Sequence, residues 1–260
     1  MATSYRQLTS QQKQRIVEAF NEGLECRKIP SYLDVSIRSV SRVLAEAGIN
    51  TKRRNRYTLN EGYFDEIDSH AKAYLLGLMA ADGCVTSTNY IVLESIDREL
   101  VERLKSELQY SGKIRIIEPP GGYTLHYRIN FSSSRLATAL SRYSVISGRT
   151  ESGVYYLPKS KYLASYILGY FDGDGCAYVN KGRSGGLVCI VGSLAFTHQL
   201  VKQLDMGVVV PHQNGKVYYW RIYSRKNINN FYQFIYRNSE FFLKRKQEKI
   251  EQILKSYRYG

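Results

Sequence analysis

The sequence predicts an α+β protein: a pseudo-two-fold pair of αββαββα units with antiparallel sheets, preceded by a small helical domain. Three observations predict it: apolar residues at helical spacing near the N-terminus, a motif that occurs twice, and the same order of strand and helix patterns after each copy. We expect a helical domain at 1–50, a basic linker at 51–72, a first half at 73–157 and a second half at 158–260.

Composition narrows the class of partner. The 260 residues include 37 Lys and Arg against 23 Asp and Glu, a formal net charge of +14. This surplus is typical of proteins that bind polyanions, either a nucleic acid or an anionic membrane surface. No apolar run approaches the roughly 20 residues that span a bilayer, and the N-terminal residues lack the apolar core of a signal peptide. We therefore expect no membrane partner and a cytoplasmic nucleic-acid-binding protein.

Cysteine usage indicates reduced thiols. Neither a CxxC pair nor a histidine at zinc-ligand spacing accompanies the cysteines, which are Cys26, Cys84, Cys176 and Cys189. The sequence therefore predicts neither a disulfide framework nor a zinc site.

The first helical unit has recognisable helix ends. Thr9 with Gln12 forms a capping box before an apolar stripe, Gly23 ends this helix, and a second helix is predicted at 25–33. Ser36 caps a third helix. Pro30 lies inside the predicted second helix, where proline removes a hydrogen bond, and it counts against the helix-turn-helix resemblance described next.

This three-helix pattern resembles a resolvase-type helix-turn-helix. The resemblance implies that the third helix presents Arg38, Ser39 and Arg42 to the major groove of DNA. A plain three-helix cap without DNA contact is the alternative. The basic stretch that follows is interpreted as an arm on phosphates, and it contributes Lys52, Arg53 and Arg54.

A repeated segment organises the rest of the chain. AYLLGLMAADGCV at 73–85 matches SYILGYFDGDGCAY at 165–178. The later hairpins also match, and aligning HYRINFSS with YWRIYS places Arg128 and Arg221 at equivalent positions. Strands are predicted at 90–96, 113–117, 123–131, 187–194, 208–211 and 216–224, and the intervening helices at 97–108 and 196–204.

Small residues within each motif lie four apart, as Gly77 and Ala81 do in the first copy. Residues at i and i+4 share a helix face, so the two motif helices are predicted to cross with their backbones in close contact. Asp82 and Asp174 then reach the same end of this seam. Because a carboxylate at a helix C-terminus is unfavourable and two together repel, a divalent cation is predicted to bind there. The alternative is that each Asp-Gly pair only forms a turn.

The motifs resemble those of the LAGLIDADG homing endonucleases in their monomeric two-motif form, over residues 57 to the C-terminus. Free-standing or intron-encoded members from phages and bacteria often carry an N-terminal helix-turn-helix. The resemblance implies Mg²⁺ bound by Asp82 and Asp174 as catalytic residues, and a catalytic role for Lys246. Arg149 stands where the first half commonly has a lysine. Asp172, opposite Ala80 in the other copy, is not implied as a ligand.

The family's sheets are saddle-shaped and lie along the major groove, so the polar face of each strand is the candidate for contact with DNA. Period-two alternation places His126, Arg128 and Asn130 on one face and the apolar residues between them on the other. Arginine can read guanine, and asparagine can read adenine. The complete set of predicted contacts in the two halves is Lys113, Arg115, His126, Arg128, Asn130, Asn180, Lys181, Arg183 and Arg221.

The function expected from the resemblance is intron homing by site-specific, Mg²⁺-dependent cleavage of double-stranded DNA. A functional monomer, a long asymmetric target and short 3′ overhangs are implied, in the cytoplasm of a bacterial or phage-infected cell. A catalytically inactive DNA-binding regulator and an RNA intron maturase are the alternatives. Retention of both aspartates argues against the regulator, and the added helix-turn-helix favours duplex DNA over RNA.

Overall fold

A computed structural model describes residues 5–24, 26–49, 57–122, 124–148, 153–158, 160–213, 215–237 and 239–257. The chain divides into two compact units, Met1–Arg56 and Tyr57–Gly260. The predicted linker at 51–72 differs from this division. Its basic residues Lys52, Arg53 and Arg54 lie outside the described residues, but from Tyr57 onward the chain packs with the second unit. Tyr63 and Phe64 are buried there, because aromatic side chains gain most from leaving water.

The N-terminal unit contains three helices around its own core: α1 (Ser10–Asn21), α2 (Ile29–Leu33) and α3 (Ile37–Glu46). The capping box of Thr9 and Gln12 is confirmed, and Ser36 caps α3. The second helix begins at Ile29 and is shorter than predicted. Pro30 lies in its first turn, where no intrahelical N–H bond is lost, so the objection that Pro30 raised to the helix-turn-helix pattern was wrong.

The second unit repeats one pattern. The helices are α4 (His70–Ala81), α5 (Arg98–Glu107), α6 (Ser134–Arg142), α7 (Leu163–Asp174), α8 (Leu194–Leu204), α9 (Arg225–Tyr236) and α10 (Lys244–Ser256). The strands are β1 (Gly83–Val85), β2 (Tyr90–Ser95), β3 (Arg115–Ile117), β4 (His126–Ser132), β5 (Gly175–Val179), β6 (Gly186–Gly192), β7 (Val208–Pro211) and β8 (Tyr218–Ile222). Two antiparallel four-stranded sheets result, ordered β1-β2-β4-β3 and β5-β6-β8-β7. The predicted pair of αββαββα units is confirmed, and α10 extends the second.

The register of the two sheets corrects the alignment of the halves. Asn130 pairs with Val92, and Arg221 pairs with Cys189 at the equivalent position of the second sheet. Arg128 is therefore equivalent to Tyr219 and not to Arg221. The sequence alignment was two residues out because it matched two arginines that happen to be followed by isoleucine. An even shift leaves both on the same face of the sheet.

The motif helices α4 and α7 form the centre of this unit. Each is buried on nearly every side, which is why their residues are apolar all round and show no helical stripe. An added Cβ on Gly77 would stand 1.9 Å from the Tyr166 carbonyl oxygen, and one on Gly169 would stand 1.9 Å from that of Tyr74. The predicted close crossing is confirmed. Neither helix, nor any other in the described ranges, is long and apolar enough to cross a membrane.

Candidate active site and nucleic-acid interface

Asp82 and Asp174 occupy the same place in the two motif helices. Asp82 caps the C-terminus of α4, and Asp174 is the last residue of α7. The crossing brings these ends together: a Cβ added to Gly173 would lie 2.5 Å from the Ala81 Cβ and 3.2 Å from Asp82 Oδ2. Both aspartates are half-buried. The two helix ends that carry the aspartates therefore meet, and the negative ends of two helix dipoles converge there.

The donor chemistry of this pair fits a hard divalent cation. Among the described residues, no cluster of three or more His, Cys, Asp and Glu side chains is placed to hold a metal. A closed structural site is therefore not supported by these residues. Mg²⁺ does not need such a cluster, because it keeps several waters and often takes only one or two protein carboxylates together with substrate phosphate. Asp82 and Asp174 could hold Mg²⁺ in this manner.

Lys246, in the first turn of α10, is buried beside the end of α7. Its Nζ donates hydrogen bonds to the carbonyl oxygens of Phe171 at 2.7 Å, Asp172 at 2.7 Å and Gly173 at 3.1 Å. Burial lowers the pKa of this ammonium group, and the negative charge of Asp172 opposes that effect. Three donors and three carbonyls match, so Lys246 caps the carboxyl end of the helix that carries Asp174.

Asp172, two residues before Asp174, is 1% exposed. Its Oδ2 accepts hydrogen bonds from the Tyr74 hydroxyl at 2.7 Å and from the Leu243 N–H at 3.0 Å, while Oδ1 has no hydrogen-bond partner. Burial raises the pKa of Asp172 to about 6, and these two bonds and the charge of Lys246 partly offset the rise. Asp172 therefore holds the crossing to α10.

A charged row lies on the side of the first sheet opposite its core, which we name the first open face. Glu94 pairs across strands with Arg128, which pairs in turn with Arg115. Arg128 donates to Glu94 Oε2 at 2.5 Å, and His126 Nδ1 lies 2.8 Å from Oε1. Burial alone would raise the pKa of Glu94, but the bonds from Arg128 and His126 outweigh it and lower the pKa. Arg115 is exposed and Asn130 is half-buried, and both remain available to a ligand on this side. Lys113 is exposed but lines a groove with Arg98 and Glu102 of α5, so its predicted place on this face is not supported.

The corresponding side of the second sheet, the second open face, is less charged. Arg221 lies with its guanidinium 4.4 Å from the centre of the Tyr219 ring, and its Nε is buried without a hydrogen-bond partner. Beside it are the cross-strand partners Cys176 and Cys189. The predicted contacts Asn180, Lys181 and Arg183 lie in the β5–β6 hairpin, where Asn180 closes the turn and the other two are exposed.

Two of the three DNA contacts predicted in the N-terminal unit are exposed, and one is buried. Arg38 and Arg42 are exposed on α3, and Arg42 also stacks on Tyr5, with its guanidinium carbon 4.3 Å from the ring centre. Ser39 is 1% exposed, and its hydroxyl lies 2.8 Å from that of Ser36. The prediction for Ser39 was wrong, because Ser39 is the third residue after the N-cap Ser36 and its side chain packs against that cap.

The structure adds residues that the sequence did not single out. Glu94 belongs to the open face only through its pairing with β4, and Asp97 in the first half binds Arg245 in the second through two hydrogen bonds. Both depend on which distant strands and helices become neighbours. The only sequence signal was an acidic residue at an outward position of a basic sheet, which period-two alternation could have identified. Arg149 lies outside the described residues, so its role stays a prediction.

Comparison with known proteins agrees with this arrangement. The family model described as a LAGLIDADG-like domain matches residues 69–143. Among solved structures, the I-LtrWI LAGLIDADG homing endonuclease bound to target DNA has a TM-score of 0.50 at 14% identity, covering 75% of this chain and 91% of that one. The meganuclease I-AabMI bound to uncleaved DNA has a TM-score of 0.49 at 15% identity, covering 70% and 88%. No curated protein matches. The chain therefore contains a LAGLIDADG-like domain and has the two-motif LAGLIDADG fold, which confirms the resemblance found in its sequence.

Proposed function

We propose that the chain is a site-specific, Mg²⁺-dependent endonuclease that hydrolyses both strands of a long, asymmetric DNA target. The observation that carries this proposal is the convergence of Asp82 and Asp174 at one end of a backbone-to-backbone helix crossing. Each aspartate stands directly before the first strand of a sheet whose open face carries basic side chains. Likeness to a homing endonuclease bound to its target DNA supports duplex DNA as the ligand.

Each residue of the site has a distinct task in this proposal. Asp82 and Asp174 would hold the metal. Each aspartate would serve the hydrolysis of one DNA strand. Bound Mg²⁺ supplies activation of water and stabilisation of the leaving oxygen. Lys246 keeps the end of α7 in place through its three carbonyl contacts, so it acts on Asp174 and not on the phosphate. By resemblance to the family, the staggered cuts leave short 3′ overhangs.

The N-terminal unit extends the contact with DNA as a helix-turn-helix. Its third helix presents Arg38 and Arg42 on an exposed face, while Ser39 holds the helix start. We expect removal of residues 1–56 to weaken binding without abolishing cleavage of the core site. Because both motif helices come from one chain, we also expect a monomer on DNA, in the cytoplasm of a bacterial or phage-infected cell. Sedimentation of the DNA complex as a dimer would contradict the monomer.

The test is selection of cleavable sites from a randomised duplex library with Mg²⁺. The wild-type chain is compared with Asp82→Asn and Asp174→Asn, which remove a metal-binding charge and keep the shape. Asp205→Asn is the matched control, because Asp205 caps the C-terminus of α8 in a left-handed conformation that asparagine also adopts. We expect the control to enrich and cut the same site as the wild type, with ends mapped on both strands.

Loss of double-strand cleavage in both seam variants, with binding retained, supports the endonuclease and both metal ligands together. If the wild type binds one duplex and cuts nothing in Mg²⁺, the chain is a DNA-binding regulator on an endonuclease fold. If it selects no duplex but binds a structured intron RNA, it is a maturase. Either result overturns the proposal.

A further inference from the structure

The second open face carries a pair of thiols that the proposed function does not use. Cys176 on β5 and Cys189 on β6 are direct Cα partners in the antiparallel ladder. Directly opposed residues have side chains on the same face of the sheet, so the two thiols are neighbours across the strands. Cys176 is exposed, and Cys189 is covered. Directly opposed residues in an antiparallel pair have Cα atoms about 4.5 to 5.5 Å apart, within the range that a disulfide spans.

The first half shows that this pair is not a requirement of the fold. Its equivalent of Cys176 is Cys84, and the strand partner of Cys84 is Val92. A valine can therefore stand opposite the cysteine at this position of the sheet. Only the second half places two cysteines opposite each other, and one of them, Cys176, lies two residues after Asp174.

We propose that Cys176 and Cys189 are a redox-active dithiol that closes to a cross-strand disulfide, and that the closed form cleaves DNA more slowly. The oxidant is hydrogen peroxide. Its O–O bond and two S–H bonds break, and one S–S bond and two O–H bonds form, giving a disulfide and two waters. The exposed Cys176 sulfur reacts first to a sulfenic acid, and Cys189 then displaces water from it. A dithiol reductant returns both cysteines to thiols and is itself oxidised to a disulfide.

The effect on cleavage follows from the position of the pair. Only Gly175 separates Cys176 from Asp174, and a Cβ at Gly175 would stand 2.1 Å from the Phe171 ring, so this turn has little freedom. Closing a covalent bond between Cys176 and Cys189 pulls the start of β5 toward β6, and Asp174 moves with it. Displacement of a catalytic group by about 1 Å can cost up to about 100-fold in rate. This step rests on the proposed function of Asp174.

The experiment treats the full-length reduced protein with hydrogen peroxide, and measures cross-linked peptides by mass and cleavage of the selected duplex. Each variant is compared with itself before and after oxidation. Cys189→Val recreates the arrangement of the first half, and Cys84→Ser is the matched control. We expect the wild type and Cys84→Ser to join the Cys176 and Cys189 peptides with loss of two hydrogen atoms. Their cleavage should fall at least about tenfold and recover with a dithiol, whereas Cys189→Val should show neither effect.

Absence of the cross-link in the wild type overturns the proposal, and so does a cross-link that leaves the cleavage rate unchanged. The mass measurement needs no DNA. If the protein forms the cross-link on oxidation but its reduced form cuts no duplex, the proposed function is contradicted. The disulfide itself is then still established.

Discussion

Gly77 in the first half and Gly169 in the second make the same backbone contact, whereas Ala80 and Asp172, three residues further along each helix, have opposite surroundings. Asp172 meets a tyrosine hydroxyl, a backbone N–H and a buried lysine. Ala80 instead lies by a small cavity lined mainly by aromatic residues: Tyr143, Tyr155, Tyr156, Tyr166, Tyr170 and Phe196. The two halves are therefore alike where the helix backbones touch. They differ where a set of neighbouring side chains differs together.

The open faces differ in the same way. The row Arg115, Arg128 and Glu94 of the first sheet corresponds to Val210, Tyr219 and Val191 in the second. A symmetric scaffold thus presents two unlike surfaces, one charged and one mainly aromatic and apolar apart from Arg221. This difference fits the proposed target with two unlike half-sites, because base readout depends on the side chains and not on the sheet.

The largest expected effect is at the crossing itself. Gly77→Ala and Gly169→Ala each place a methyl group 1.9 Å from a backbone carbonyl oxygen, which no side-chain rotation can relieve. Each should lower the free energy of unfolding by about 4 kcal/mol or more, and by similar amounts in the two halves. Urea unfolding measures this.

Gly62→Ala is the control for the crossing, because its added methyl meets the flexible end of Arg135 at 3.1 Å. Its free energy of unfolding should stay within about 0.5 kcal/mol of the wild type. Tolerance of alanine at Gly77 but not at Gly169 would show that the crossing is asymmetric and break the comparison.

The next effect concerns Lys246. Lys246→Met leaves three carbonyl oxygens of α7 without their donor and Asp172 without its neighbouring cation, so unfolding should become easier by about 3 kcal/mol. Lys244→Met is the control, because Lys244 is exposed and its ion pair within the described part of the chain is with Glu248 at 3.8 Å, a surface contact worth less than about 1 kcal/mol. Unchanged stability of Lys246→Met together with lost cleavage would restore a direct catalytic role for this lysine.

Local patterns predicted what is local in this molecule. The glycine spacing in the motif predicted the crossing, and the capping box predicted the start of α1, because both depend on residues within one helical turn. The contacts of Glu94 with Arg128 and of Lys246 with α7 join residues far apart in the chain, and no local pattern encodes them. The Arg128 and Arg221 alignment failed for the same reason: register is decided by strand partners, and the two halves share too few side chains in their sheets to show it.

Asp172 should make the free energy of unfolding depend on pH, and Ala80, its counterpart in the first half, cannot. Its pKa is about 6 in the folded protein and close to its ordinary value of 3.8 when unfolded. Folding therefore favours the protonated form, and stability present below about pH 4 is lost as the pH rises through about 6. The loss should be about 2 to 3 kcal/mol. Thermal or urea unfolding of wild type and Asp172→Asn across this range, with a chelator present, measures it as a difference.

The reciprocal variant sharpens the comparison. Ala80→Asp places a carboxyl group beside tyrosines, and should destabilise the protein most at neutral pH. Parallel stability curves for wild type and Asp172→Asn would show that Asp172 keeps its charge on folding and that the two sites differ less than their surroundings indicate.

The smallest effect is expected on the first open face. Glu94→Gln removes the one negative charge held between His126 and Arg128, and frees both basic groups for phosphate or base. Binding of the selected duplex should tighten modestly, and the slope of log affinity against log salt should steepen by at most about 1. Glu102→Gln is the control, since Glu102 pairs with Arg98 on the surface of α5, away from the sheet's open face. Equal slopes for the two variants would show that the charged row does not meet DNA. In that case the unlike open faces would no longer support the proposed recognition of an asymmetric target.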